Sequence, residues 1–131
     1  MSRDLNHLHP NLRPLCEAFI QQCSDDGIEV LITFTYRSNR DQDILYAKGR
    51  TVKGRKVTNA KGGQSKHNFT IDGKPASKAF DFVITDPKTD KPVWQTTDVR
   101  WIRAVAIGKH LGLTSGADFK TLKDFGHMEI K

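Results

Sequence analysis

The sequence predicts an α+β fold, a small antiparallel sheet with flanking helices. Three observations predict it. Helix, strand and helix patterns follow one another over the first 48 residues, strand-like segments cluster in the second half, and a late amphipathic helix precedes a short terminal strand. At 131 residues the chain has room for one core, and residues 1–131 read as a single domain.

From Asn11 to Cys23 the apolar positions Leu12, Leu15, Cys16, Phe19, Ile20 and Cys23 recur at helical spacing, and Asp25-Asp26-Gly27 ends the pattern. Cys16 and Cys23 then lie about 10 Å apart along one helix, too far for a disulfide. Both are expected to be reduced packing residues. Glu29 to Tyr36 is rich in β-branched and aromatic residues and reads as a buried strand. Ser38 is placed to cap a short helix running to Lys48, with Gly49 as its stop.

Residues 50–64 carry glycines and lysines with little apolar pattern and read as a mobile surface loop. Ser65 to Ile71 and Lys78 to Thr85 are expected to be two strands joined through Asp72-Gly73-Lys74-Pro75-Ala76, and Asp86 to Pro92 makes a further turn. Thr97 is the expected cap of a helix whose stripe is Val99, Ile102, Ala106 and His110 or Leu111, closed by Gly112. Gly126 to Ile130 reads as the last strand.

Composition narrows the partners. A hydrophobic content of 37% with 27% charged residues is ordinary for a globular chain, and no apolar run approaches the ~20 residues of a membrane span, so stable membrane insertion is not expected. The formal charge of +6 favours an anionic partner such as nucleic acid, lipid headgroups or cell-wall polymer. Lys48, Arg50, Lys53, Arg55, Lys56, Lys61 and Lys66 have no interleaved aromatics, which argues against base stacking and against nucleic acid. The first residues, Met-Ser-Arg-Asp-Leu-Asn-His, show no apolar run of the secretory type. A substrate outside the membrane would then require release by another factor.

The chemistry concentrates in three places. In Ala79-Phe80-Asp81-Phe82-Val83-Ile84, alternation puts Phe80, Phe82 and Ile84 on one face and Asp81 on the other. An unpaired carboxylate in such a strand costs several kcal/mol, so Asp81 needs a cation, a metal or donors. A hairpin centred near Lys74 would set His67 directly across from Asp81, and one slip of register would part them. In Asp124-Phe125-Gly126-His127-Met128-Glu129-Ile130, Met128 and Ile130 face the core while His127 and Glu129 face the other side. Two histidines and a carboxylate make a three-ligand zinc site with one position left for catalysis. Asp124, three residues before His127, is placed to take a proton from water and deliver it to a leaving amine. His7, His9 and His110 read as non-catalytic.

Ser65-Lys66-His67, Ala79-Phe80-Asp81-Phe82 and Gly116-Ala117-Asp118-Phe119, with Asp124-Phe125-Gly126-His127-Met128-Glu129, together resemble the L-alanyl-D-glutamate peptidases of bacteriophage lysis. These endolysins are members of the D-alanyl-D-alanine carboxypeptidase/VanY-like zinc peptidase family, whose fold is shared with Hedgehog signalling domains. Thr35-Tyr36-Arg37-Ser38 with Gln42 matches the family's upstream pattern, and the resemblance spans about residues 30–130. It implies that His67, Asp81 and His127 bind Zn2+, that Asp124 is the catalytic carboxylate, and that Arg37, Gln42 and Ser65 line the substrate site. A guanidinium at Arg37 suits a substrate carboxylate or the oxyanion forming at the scissile carbonyl.

Departures accompany the match. Fourteen positions separate His67 from Asp81, more than is usual for the family, and Asp72 within the intervening insert remains a rival ligand. Phe119 stands where a Trp is common. There is no room for a separate wall-binding domain, which suits thin peptidoglycan of the Gram-negative type.

The resemblance implies a zinc endolysin hydrolysing the L-Ala to D-Glu bond of peptidoglycan, a monomer held in the host cytoplasm until a holin-type pore admits it to the periplasm and wall. The alternatives are a D-Ala-D-Ala carboxypeptidase or dipeptidase with the same metal chemistry, and a catalytically silent zinc-binding interaction domain. Asp124 and Arg37 argue against the silent domain.

Overall fold

Strand β4 (Ala79–Asp86) organises the molecule because its alternation separates an aromatic face from a polar one. In the computed structural model, which describes residues 1–131, Phe80, Phe82 and Ile84 are almost wholly excluded from solvent on one face of this strand. Two helices cover that face. Helix α1 (Arg13–Asp25) presents Phe19, whose ring lies 5.6 Å from Phe80 and 4.9 Å from Phe82. Helix α3 (Val99–His110) presents Trp101, 5.3 Å from Phe82. Burying aromatic side chains in this way supplies the largest apolar contribution available to so small a core.

β4 pairs antiparallel with β1 (Glu29–Phe34) on one side and β7 (His127–Glu129) on the other, and β7 pairs with β6 (Thr114–Ser115). The far end of β4 turns back as β5 (Lys91–Pro92). A bulge between Ile32 and Phe34 shifts the register of β1 where it passes Asp81. Bulges re-aim side chains beside sites of this kind. Helix α2 (Asn39–Ala47) follows β1, and the Ser38 hydroxyl accepts the Asp41 N–H as its cap, as the sequence predicts. Cys16 and Cys23 are free and buried, and burial pushes both thiols up to about 12, so neither offers a thiolate. No helix is long and apolar enough to cross a membrane.

Two sequence expectations are corrected. The first is the hairpin. Asp72 and Gly73 both have positive φ, 51° and 76°, and form a two-residue turn joining β2 (Thr70–Ile71) to β3 (Lys74–Pro75). Asp-Gly is the favoured pair for such a turn, so the centre lies there and not near Lys74. His67 therefore stands on a single 3-10 turn, Lys66–Asn68, and is not paired with Asp81 across a ladder.

The second is the buried face of α3. Asp98, not Thr97, caps the helix through the Arg100 N–H, and Trp101, Ala104 and Gly108 are buried while Val99 and Ile102 are about 60% exposed. Both stripes have helical spacing. The larger side chain decides: Trp101 stacks on Phe82 and donates its indole N–H to the Val93 carbonyl at 2.7 Å.

Residues 53–64 form no helix or strand. They are tied to the body by hydrogen bonds from Gly62 N to Asp43 Oδ1 at 2.7 Å and from Asn59 Nδ2 to Thr121 Oγ1 at 3.2 Å.

Candidate metal centre

Pairing of β4 with β7 sets Asp81 opposite His127, and the 3-10 turn carrying His67 closes over the same spot. One ligand atom each from His67, Asp81 and His127 lie within 4.8 Å of one another. Asp81 Oδ1 is 3.2 Å from His67 Nε2 and 3.1 Å from His127 Nδ1. The histidines are buried and the carboxylate nearly so.

The far nitrogen of each ring identifies the near one. His67 Nδ1 lies 2.7 Å from the Thr35 carbonyl, which only accepts, so Nδ1 carries the proton and Nε2 is left facing Asp81. His127 Nε2 lies 2.8 Å from Glu129 Oε1, so it donates there and Nδ1 faces Asp81. Glu129 is held in turn by Lys66 Nζ at 3.0 Å, from the same turn as His67. Carboxylate and carbonyl partners behind histidine ligands fix the ring and raise its basicity, which is what a metal-binding imidazole needs. Two imidazole nitrogens and one carboxylate oxygen converging without a fourth protein ligand fit a tetrahedral zinc ion with an open position.

Electrostatics agree with the donor set. Burial opposes charge on Asp81, yet His67 and His127 outweigh it and hold its carboxyl well below the usual range. Burial likewise opposes charge on His127, but hydrogen bonds with Asp81 and Glu129 raise it to about 9.

The cluster forms one wall of a cleft of about 700 Å³ that Arg37, Ser65 and Asp124 also line. Desolvation and the neighbouring Asp81 charge push the Asp124 carboxyl above the ordinary carboxylate range. Its Oδ1 accepts the Gly126 N–H at 3.2 Å, which steers the side chain. Gly116 underlies this arrangement: a methyl group there would collide with the Asp124 carbonyl and crowd His127, and the Gly116 carbonyl accepts the Asp124 N–H at 2.9 Å.

Arg37 is buried. Its N–H donates to the His67 carbonyl at 2.9 Å, its carbonyl accepts from Asn68 Nδ2 at 2.8 Å, and its Nη2 lies 3.6 Å from Asp81 Oδ2. Its Nε has no partner in the protein, an orphan donor of the kind that marks a place for a bound group.

Gln42 does not line the cleft. It is fully buried, accepting from Arg37 Nη1 at 2.9 Å and donating to the Ala60 carbonyl at 2.8 Å, so it stands behind Arg37. Ser65 lines the cleft, and its hydroxyl accepts the His67 N–H at 3.2 Å. Asp72 is exposed in the hairpin turn and outside the cluster.

Sequence reasoning missed three contributors. Glu129 was on the correct face by alternation, but nothing in the pattern marked it as the partner of His127. Lys66 gave no signal beyond its charge, and the Thr35 carbonyl none at all.

The chain matches the family described as VanY, D-alanyl-D-alanine carboxypeptidase, over residues 5–113. It is 36% identical over 130 residues to the peptidoglycan L-alanyl-D-glutamate endopeptidase CwlK of Bacillus subtilis, covering 94% of this chain and 73% of that one. The fold is similar to that of the L-Ala D-Glu endopeptidase ChiX of Serratia marcescens, with a TM-score of 0.64 and 17% identity over 97% of this chain and 83% of that one. On the extent of these matches, the chain belongs to the VanY peptidase family.

Proposed function

We propose that the protein is a zinc-dependent endopeptidase that hydrolyses the L-Ala to D-Glu bond of peptidoglycan stem peptides. The observation that carries the reading is the convergence of His67, Asp81 and His127 in a cleft that Asp124 and Arg37 share. The activity named for the Bacillus relative supports the choice of bond.

In this reading His67 Nε2, Asp81 and His127 Nδ1 hold the ion. The chemistry zinc supplies at such a site is polarisation of the scissile carbonyl and a lowered pKa for water. Asp124 accepts the proton of the attacking water and passes it to the leaving amine, a task suited to a carboxyl of raised pKa. Arg37 lines the same cleft, and its charge suits the oxyanion or a substrate carboxylate. Gln42 keeps that guanidinium in place, and Ser65 holds the turn that carries His67.

Resemblance to phage endolysins extends the proposal. The chain acts as a monomer, stays in the host cytoplasm until a holin-type pore opens, and then reaches the wall through the periplasm to lyse the host. Expression with and without such a pore, followed by optical density, tests that part; lysis without a pore contradicts it.

Mass spectrometry of digested peptidoglycan tests the activity. New D-Glu amino termini, with L-Ala left on the muramyl side, are expected. Release of free D-Ala alone would move the chain to the carboxypeptidase reading that the family description carries.

A further inference from the structure

We propose that Lys48 is a specificity-determining residue of the cleft, its ammonium pairing with the free carboxylate of a D-glutamyl residue on the leaving-amine side of the scissile bond. The inference rests on the endopeptidase reading above. A glutamyl residue has two carboxyl groups and uses one to join the next residue, so the other travels within a few bonds of the scissile nitrogen as a free carboxylate. In this cleft it meets Asp81, Asp124 and Glu129, all of the same sign. A substrate of that charge needs a cation on the opposite wall.

Beside the two histidines of the cluster, the basic groups lining the cleft are Arg37, Lys48, Lys66 and Met1, whose terminal ammonium is paired with Asp41 at 3.8 Å. Lys66 is committed, its Nζ held by Glu129 at 3.0 Å and by the Ile130 carbonyl. Arg37 is tied to Gln42 at 2.9 Å and lies 3.6 Å from Asp81 Oδ2, so its charge is already engaged within the chain. Lys48 is exposed, and its side chain makes no ion pair or hydrogen bond within the chain.

The base of Lys48 is nonetheless fixed. It closes α2 with its N–H on the Leu45 carbonyl at 3.2 Å, and it bridges to Val52. A fixed backbone with a free arm of four methylenes suits capture of a carboxylate at the mouth of a cleft. The helix C-terminus also favours a cation there. Neighbouring Arg50 is not a competitor: it lies over the Tyr46 ring at 3.8 Å and donates to the Tyr46 and Thr58 carbonyls.

Two synthetic stem peptides test the assignment, one with the free glutamyl carboxylate and one with that group as a primary carboxamide. Each is digested by zinc-loaded wild type, Lys48→Met and Lys48→Arg, with metal content measured for every preparation. Wild type is expected to prefer the acid by about tenfold in kcat/KM, mainly through KM. Lys48→Met brings that ratio close to one, and Lys48→Arg restores most of it. An unchanged preference in Lys48→Met, or none in wild type, overturns the role of Lys48. If wild type cuts neither peptide between L-Ala and D-Glu, the endopeptidase reading itself fails, and that result needs no variant to recognise.

Discussion

Asp124 carries the proton chemistry of the proposal, and its environment explains how an ordinary carboxylate is adapted to it. Desolvation and the Asp81 charge raise its pKa, while the Gly126 N–H holds one oxygen. Replacing it with Asn keeps shape and removes the base. Asp124→Asn is therefore expected to retain zinc and lose about 10²- to 10⁴-fold in kcat. Retained activity within a few-fold of wild type would make Asp124 structural. The same scale decides between Asp81 and Asp72. Asp81 is held by a core strand against two histidines, whereas Asp72 sits exposed at positive φ in a turn. Asp81→Asn should lose zinc and activity together and Asp72→Asn neither, as metal analysis and wall-lysis assays would show.

His127 ties the cluster to pH. Its pKa in the metal-free protein is raised from 6.5 to about 9, so at neutral pH a proton occupies the nitrogen that faces the metal position. Binding zinc must expel that proton, and apparent affinity is expected to rise about tenfold per pH unit up to about 9 and then level off for this group. The sign for folding is the opposite: that proton stabilises the metal-free fold fully below pH 6.5 and ceases to do so as pH rises through about 9. Glu129→Gln removes one of the charges that raise this pKa, so the levelling should come at lower pH. Competition titrations across pH would read both, and a pH-independent affinity would contradict the assignment of Nδ1.

At the scale of the element, the site is made by close approaches that side-chain patterns describe poorly. Gly116 begins a 3-10 turn whose backbone packs against Asp124 and His127, leaving no space for a Cβ. Gly116→Ala is expected to displace Asp124 and lower kcat by more than it lowers stability. Parallel thermal melts and rates would show it, and an active variant would refute the packing argument.

The legibility of the sequence follows the same division. Helix α1, the Ser38 cap and the Met128 side of β7 were readable, because each is a local pattern, whereas β1 was readable in place but not in burial: it was expected to be buried, and only Ile32 of its six residues is, with Leu31 46% exposed. The face of α3 was not, since two stripes shared its period and the choice rested on Trp101 meeting Phe82. The route that brings His67 to Asp81 was not either. It depends on Asp72-Gly73 closing a short hairpin outside the sheet, with His67 held by the carbonyl of Thr35, the residue that follows β1. Motif identity pointed to the three candidate ligands, while the support behind them, Glu129, Lys66 and the inward turn of Gln42, required three dimensions.

At the scale of the whole molecule, α1 and α3 pack on the aromatic face of the sheet, and the cleft opens where β4 and β7 meet the turn of His67. The cleft wall brings together segments far apart in sequence, so one bound ion would join Lys66–Asn68, β4 and β7. Zinc should accordingly stabilise the fold as well as activate it, by an amount set by its concentration relative to Kd. The central claim is that His67, Asp81 and His127 hold a single catalytic zinc. Its most direct test is a titration of zinc into metal-free protein, following bound metal and cleavage of a defined L-Ala to D-Glu peptide in the same samples. Both signals are expected to rise together and saturate at about one zinc per chain. Full cleavage by protein shown to be free of metal would contradict the account.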